Sequence, residues 1–212
     1  MRYFWKGILA GVCIGLGGTI FLRVGGVVGA CLFAFGLIAV VSMGLNLFTG
    51  KAQFVWRNPR DYAWLFTMLG LNIAGCLALA LAINNPAMMD AATGIINARL
   101  DYGPLRAGVL AIGCGFIMTL AVQNASKGHW LPLLFGIPAF ILCGLPHCIA
   151  DAFYICCLPH EFLFENFANI AIFYIAIVAG NFLGCNAYRL TSPGQSRPAA
   201  TEQPATPSTQ NK

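Results

Sequence analysis

Apolar residues occur along the chain in long unbroken blocks rather than in the alternation of strands or the narrow stripe of surface helices. A helix needs roughly 20 mostly apolar residues to span a bilayer, and six blocks qualify: 7–22, 25–56, 62–84, 105–125, 130–157 and 166–190. Two are too long for one crossing and carry breakers near their middles. The second is interrupted by Gly44, Asn46, Thr49 and Gly50, the fifth by Gly144 and Pro146 just before His147. Each is the middle member of a three-span half, and the breaks are offset by roughly 98 residues, as interrupted helices at matching positions of an inverted repeat should be. The pattern predicts an all-α polytopic membrane protein of six transmembrane helices, broken in the second and fifth. One channel domain fills 1–190, with half-repeats at about 7–84 and 105–190. The segment Asn84 to Pro104 is read as a long loop, and Leu158 to Asn166, with His160, Glu161 and Glu165, as a short solvated connection. Residues 191–212, rich in Pro, Ser, Thr and Gln, bury no core and are expected to form a disordered cytoplasmic tail.

Composition strengthens this picture. Of 212 residues 58% are hydrophobic and only 9% charged, and the mean hydropathy is +0.75, which excludes an ordinary soluble domain. The start, Met1 to Lys6, has the charge of a signal peptide, but the glycine-rich block after it lacks a small-x-small cleavage site and is read as a retained helix. With the N-terminus inside, Arg2, Lys6, Lys51, Arg57, Arg60, Lys127, Arg189, Arg197 and Lys212 fall on the cytoplasmic side, against Arg23, Arg99 and Arg106 outside. Both termini are therefore expected in the cytoplasm, and Trp5, Trp56, Trp64 and Trp130 fall at the same interface. The net charge of +5 resides in those loops and does not suggest nucleic acid.

All nine cysteines lie inside apolar spans, where they act as small apolar residues. His147 with Cys143 and Cys148 lacks a fourth metal ligand at sensible spacing. Adjacent cysteines such as Cys156 and Cys157 rarely form an unstrained disulfide, and with no cofactor motif a membrane redox enzyme is disfavoured. Gly7, Gly11, Gly15, Gly17 and Gly18 in the first span, and Gly180 and Gly184 in the last, have the spacing that lets helices pack closely.

Three stretches, LNLFTGKAQF (Leu45 to Phe54), GLPHCIADAFYI (Gly144 to Ile155) and AGNFLG (Ala179 to Gly184), resemble the formate/nitrite transporter family in order and spacing, over about residues 7–190. The resemblance implies an aquaporin-like fold, a pore in each protomer, a homopentamer and transport rather than enzymatic activity. It makes His147 similar to the central pore histidine, Thr49 to the threonine facing it and Asn181 to the asparagine near that site. Phe33, Leu37 and Phe140 align with residues narrowing the cytoplasmic side, and Phe48 with an outer constriction. Arg99 falls where the family usually has an anion-attracting lysine, with Arg106 as its rival. The chain departs from the pattern at Pro146, where an acid commonly precedes the histidine, at Asp151, where an asparagine is common, and at Gly115 in place of a fourth-helix asparagine.

Together these features predict a multi-pass protein of the bacterial cytoplasmic membrane that passes a small monovalent anion, formate first and nitrite or hydrosulfide next, between apolar barriers and past His147. Protons and membrane lipid are further expected partners, and both an anion channel and a proton-coupled carrier stay open. A neutral-solute pore is the different-class rival, although the paired Asn-Pro-Ala signatures of aquaporins are missing. Asp151, four residues after His147 on one helix face, is either a modulator of the imidazole or a helix-end acid reaching water.

Overall fold

Inside a bilayer a backbone amide finds no water, so each crossing segment must satisfy its own hydrogen bonds as a helix. The computed structural model describes residues 2–54 and 59–187; Trp56, Arg57, Arg189, Arg197, Lys212 and the expected tail lie outside them. The helices are α1 (Arg2–Val24), α2 (Gly26–Ser42), α3 (Phe48–Lys51), α4 (Pro59–Ile83), α5 (Pro86–Asp101), α6 (Gly103–Ala125), α7 (Leu131–Leu142), α8 (Cys148–Cys156), α9 (His160–Glu165) and α10 (Phe167–Ala187). A 3-10 turn, Ala52–Phe54, continues α3, and no strand occurs among the described residues. Within α1, α4, α6 and α10 lie apolar stretches long enough to cross a membrane unaided. The apolar helices α2 and α7 are shorter, and each is completed after a break by α3 or α8. The result is six crossings, the second and fifth discontinuous.

Three crossings per half is an odd number, so the second half enters from the side opposite the first and the repeat is inverted. Both ends of the described chain then lie on one face, the terminal face, and α5 and α9 lie on the other. The two breaks have the same hydrogen bonding. After α2, Gly44 adopts φ +58° and the Leu45 amide donates back to Val40 O at 2.9 Å; after α7, Gly144 adopts φ +67° and the Leu145 amide donates to Phe140 O at 2.9 Å. Both are helix stops that need a left-handed residue, which glycine supplies without a Cβ penalty. The two stops stand one hundred positions apart, near the expected offset.

Close crossings hold each half together. A Cβ on Gly11 of α1 would strike Asn72 O of α4, and one on Gly75 would strike Ile8 O. In the second half Gly115 of α6 faces Asn181 O of α10 in the same way, and Gly184 faces Ile112 O. Packing rather than hydrophobicity drives helix association in lipid, and backbone contact of this kind is its tightest form.

The structure corrects the reading of Asn84 to Pro104 as a loop, because most of it is α5. Asn85 caps that helix by accepting from the Met88 amide at 3.3 Å, and Pro86 stands at the first turn. Met88, Ala92 and Ile96, four apart, are its buried face. The short connection after α8 likewise contains α9.

Replacing Gly184 by Val should cost about 3 kcal/mol, because overpacking against backbone has no side chain to yield. Gly70, which has open space around it, should accept Ala with an unchanged melting temperature. Thermal melting of the detergent-solubilised protein, followed by size-exclusion chromatography, distinguishes the two.

Candidate functional site

A helix that stops inside an apolar layer strands the amides that open the next helix and the carbonyls between. Two asparagines meet this need. Asn72 Oδ1 accepts from the Phe48 amide at the start of α3 at 2.9 Å, while its Nδ2 donates to Asn46 O and Gly7 O, both at 2.9 Å. Asn181 Oδ1 accepts from the Cys148 amide at the start of α8 at 2.7 Å, and its Nδ2 donates to Pro146 O at 3.0 Å and Ala111 O at 2.8 Å. Each side chain thus ties a half-helix to the carbonyl two residues before it and to the first helix of its half. Both are fully buried.

The two half-helix openings bring Thr49 and His147 together, with Thr49 Oγ1 3.0 Å from His147 Nε2. Cys185 Sγ donates to Thr49 O at 3.2 Å and fixes the backbone there. His147 is the N-cap of α8, and its Nδ1 accepts from the Ala150 amide at 3.2 Å. A backbone amide can only donate, so Nδ1 carries no proton in this arrangement. The neutral ring then holds its proton on Nε2, facing Thr49. If Thr49 Oγ1 accepts that hydrogen, its own hydroxyl proton remains free to donate.

Aromatic rings close over this pair. The Phe140 ring centroid lies 5.8 Å from that of His147 at an interplanar angle of 31°, and Phe33 meets Phe140 edge-on at 6.3 Å and 85°. Leu37 and Phe48 are buried as completely as Phe33. The expected constriction residues are therefore all interior, and Phe33 and Phe140 are stacked in sequence toward the imidazole.

Asp151 is also fully buried, but it meets the backbone of His147 rather than its ring. Its Oδ2 accepts from the His147 amide at 2.9 Å and from Arg99 Nη1 of α5 at 2.9 Å, and its Oδ1 lies 2.8 Å from the same guanidinium nitrogen. This bears on two expectations. Asp151 does not reach water at a helix end, and Arg99, the residue expected to attract anions, has its charge facing a carboxylate. Together the His147 ring and the Asp151 side chain cap the opening of α8 reciprocally, in the manner of a capping box. Arg106, the rival cation, is exposed, with its guanidinium carbon 5.6 Å from the centre of the Tyr102 ring.

Sequence reasoning passed over Asn72. Its signal was available: an amide inside an apolar third span, placed as Asn181 is in the sixth. Gln53 was passed over too; it donates to Gly50 O at 3.3 Å and accepts from Gln123 of α6.

Residues 1–188 match the family model described as Formate/nitrite transporter. The chain belongs to the formate/nitrite transporter family. An uncharacterized transporter of Bacillus subtilis (strain 168), YrhG, is 28% identical over 183 residues, which are 70% of this chain and 68% of that protein. Two solved structures share the fold. A pentameric formate channel with formate bound superposes with a TM-score of 0.74 at 21% identity, covering 90% of this chain and 94% of that one. An FNT family ion channel gives 0.73 at 18% identity, with 88% and 86% covered. As a formate/nitrite transporter family member the chain is a multi-pass membrane transport protein rather than an enzyme, and its broken-helix fold is that of channels.

Truncating either asparagine leaves several buried backbone groups without partners, at about 1–3 kcal/mol each. Asn72→Ala and Asn181→Ala should therefore lower the melting temperature of the purified protein to a similar extent. Melting that is lowered by only one of them would show that the two breaks are not equivalent.

Proposed function

We propose that the protein conducts small monovalent anions, formate first, through one path in each protomer that runs past Thr49 and His147. The observation that carries this reading is the Thr49–His147 pair: two donor-capable side chains, 3.0 Å apart and fully enclosed, at the openings of two half-helices. A helix N-terminus is the positive end of its dipole, so the nine-residue α8 favours negative charge at this place. An ion at the centre of an apolar layer is costly unless polar groups compensate. Phe33, Leu37, Phe48 and Phe140 form the barrier, and the hydroxyl of Thr49 with the Nε2–H of His147 supplies the compensation. Asn181 acts through the backbone of α8 by holding that helix in place.

The cap bears on the mechanism. With Nδ1 engaged by the Ala150 amide, His147 is a neutral hydrogen-bond donor; a second proton would go onto Nδ1 and break the cap. Formate and nitrite each present two oxygen acceptors and one negative charge, so the pair suits both. Hydrosulfide fits by charge and size but is a poorer acceptor. We extend to this chain the pentameric assembly named for the similar formate channel, and we place the protein in the bacterial cytoplasmic membrane with both termini inside, on the positive-inside distribution of Lys and Arg.

Uptake of labelled formate into proteoliposomes tests the reading. Losing a hydrogen bond to a charged partner removes about 1.5–3 kcal/mol, so His147→Phe should lower flux about ten- to a hundredfold, and Thr49→Val should lower it too. Nitrite should compete, and urea should not. Formate flux equal in wild type and His147→Phe would sink the assignment. Urea flux as fast as formate flux would favour a neutral-solute pore.

A further inference from the structure

Arg99 and Asp151 form the charged pair nearest the histidine, and two features of it bear on anion passage. The carboxylate is wholly buried while the guanidinium is 12% exposed, so of the two only the positive partner reaches the surface. The same Oδ2 that meets Arg99 also accepts the His147 amide, so the pair is joined to the backbone of the residue that meets the anion. Its partners come from different elements, Arg99 from the last turn of α5 and Asp151 from the first turn of α8. Around it stand Tyr102, whose hydroxyl is buried with no hydrogen-bond partner among the described residues, Tyr154, Tyr174, Cys114 and Cys148, with the exposed Arg106 beyond, against the Tyr102 ring.

We propose that Asp151 is a positioning residue with two separable effects: its charge neutralises Arg99 and so sets how strongly the α5 face attracts anions, and its oxygen caps α8 and so holds His147 against Thr49. The inference rests on the reading that anions pass His147. A buried carboxylate beside a partly exposed guanidinium reduces the field of that cation without blocking access to it. Anion affinity at this mouth is then governed by the balance of the pair and not by Arg99 alone.

Neutral replacement separates the effects. Asp151→Asn removes the charge, while its amide oxygen can still accept from the His147 amide; Asp151→Ala removes both charge and cap. Formate uptake by the purified protein in liposomes should show a KM lowered about three- to tenfold in D151N, the scale of one unit charge near a partly wet site. The maximal rate should stay near wild type. The shift should shrink at high salt, where exposed charge is screened. In R99M/D151N, which is neutral again, KM should return to within about twofold of wild type. In D151A the maximal rate should fall well below that of D151N. R99M leaves a buried carboxylate unpaired and is the variant most exposed to misfolding, so the charge effect is read from D151N and R99M/D151N. A wild-type KM in D151N overturns the charge effect, and equal maximal rates in D151A and D151N overturn the cap. Wild-type liposomes that carry no formate would overturn the functional reading itself, an outcome distinct from a flat variant series on a working transporter.

Discussion

Two gaps in the helical backbone, each surrounded by apolar side chains, are the constraint from which the rest of the structure follows. A gap strands donors at the start of one helix and acceptors just before it, and no solvent is present to take them up. A single side chain that accepts once and donates twice resolves both needs, and asparagine has that capacity where aspartate lacks the donors and leucine lacks everything. Asn72 and Asn181 reach the gaps only because α4 and α10 lie directly against α1 and α6. That proximity demands glycine at Gly11, Gly75, Gly115 and Gly184, where the neighbouring backbone already occupies the space of a Cβ. Gap, amide and glycine are thus one requirement met at three levels.

The gaps in turn create the polar centre. Opening a helix in the interior turns its first amides toward the gap, and doing so twice brings two such openings to where Thr49 and His147 meet. The histidine is itself part of the helix it opens, since its ring accepts the Ala150 amide and its own amide is held by Asp151. Its orientation is therefore set by the fold rather than chosen by a rotamer.

Much of this was legible in the sequence, and the limits are instructive. The spans were visible because apolar length is a direct consequence of bilayer thickness, and the breaks because Gly44, Gly144 and Pro146 are poor helix residues in any context. The helix α5 was missed because polar residues flank it and its apolar face is narrow, although Asn85 followed by Pro86 is a helix-start signature. The meeting of Thr49 and His147 came from resemblance, since nothing local pairs residues so far apart. The partners of Asp151 could not be read from spacing: the i to i+4 relation placed it on the face of His147, but which atoms it touches depends on Arg99, delivered by a helix the sequence reading had left as a loop. Asn72 lacked any motif, and only its correspondence with Asn181 across the repeat would have revealed it.

That correspondence extends to the breaks themselves. Where the halves share a position and a role, the residue is the same: Gly44 and Gly144 stop the helices, and Asn72 and Asn181 bridge the gaps. One hundred positions apart, the half-helix openings differ: Leu47 stands against His147, Thr49 against Ile149 and Lys51 against Asp151. The supporting residues are thus present in duplicate while the facing pair is divided, the hydroxyl standing in one half and the imidazole in the other. Neither half alone carries the pair, so two copies of either half would keep both breaks but lose the contact between hydroxyl and imidazole.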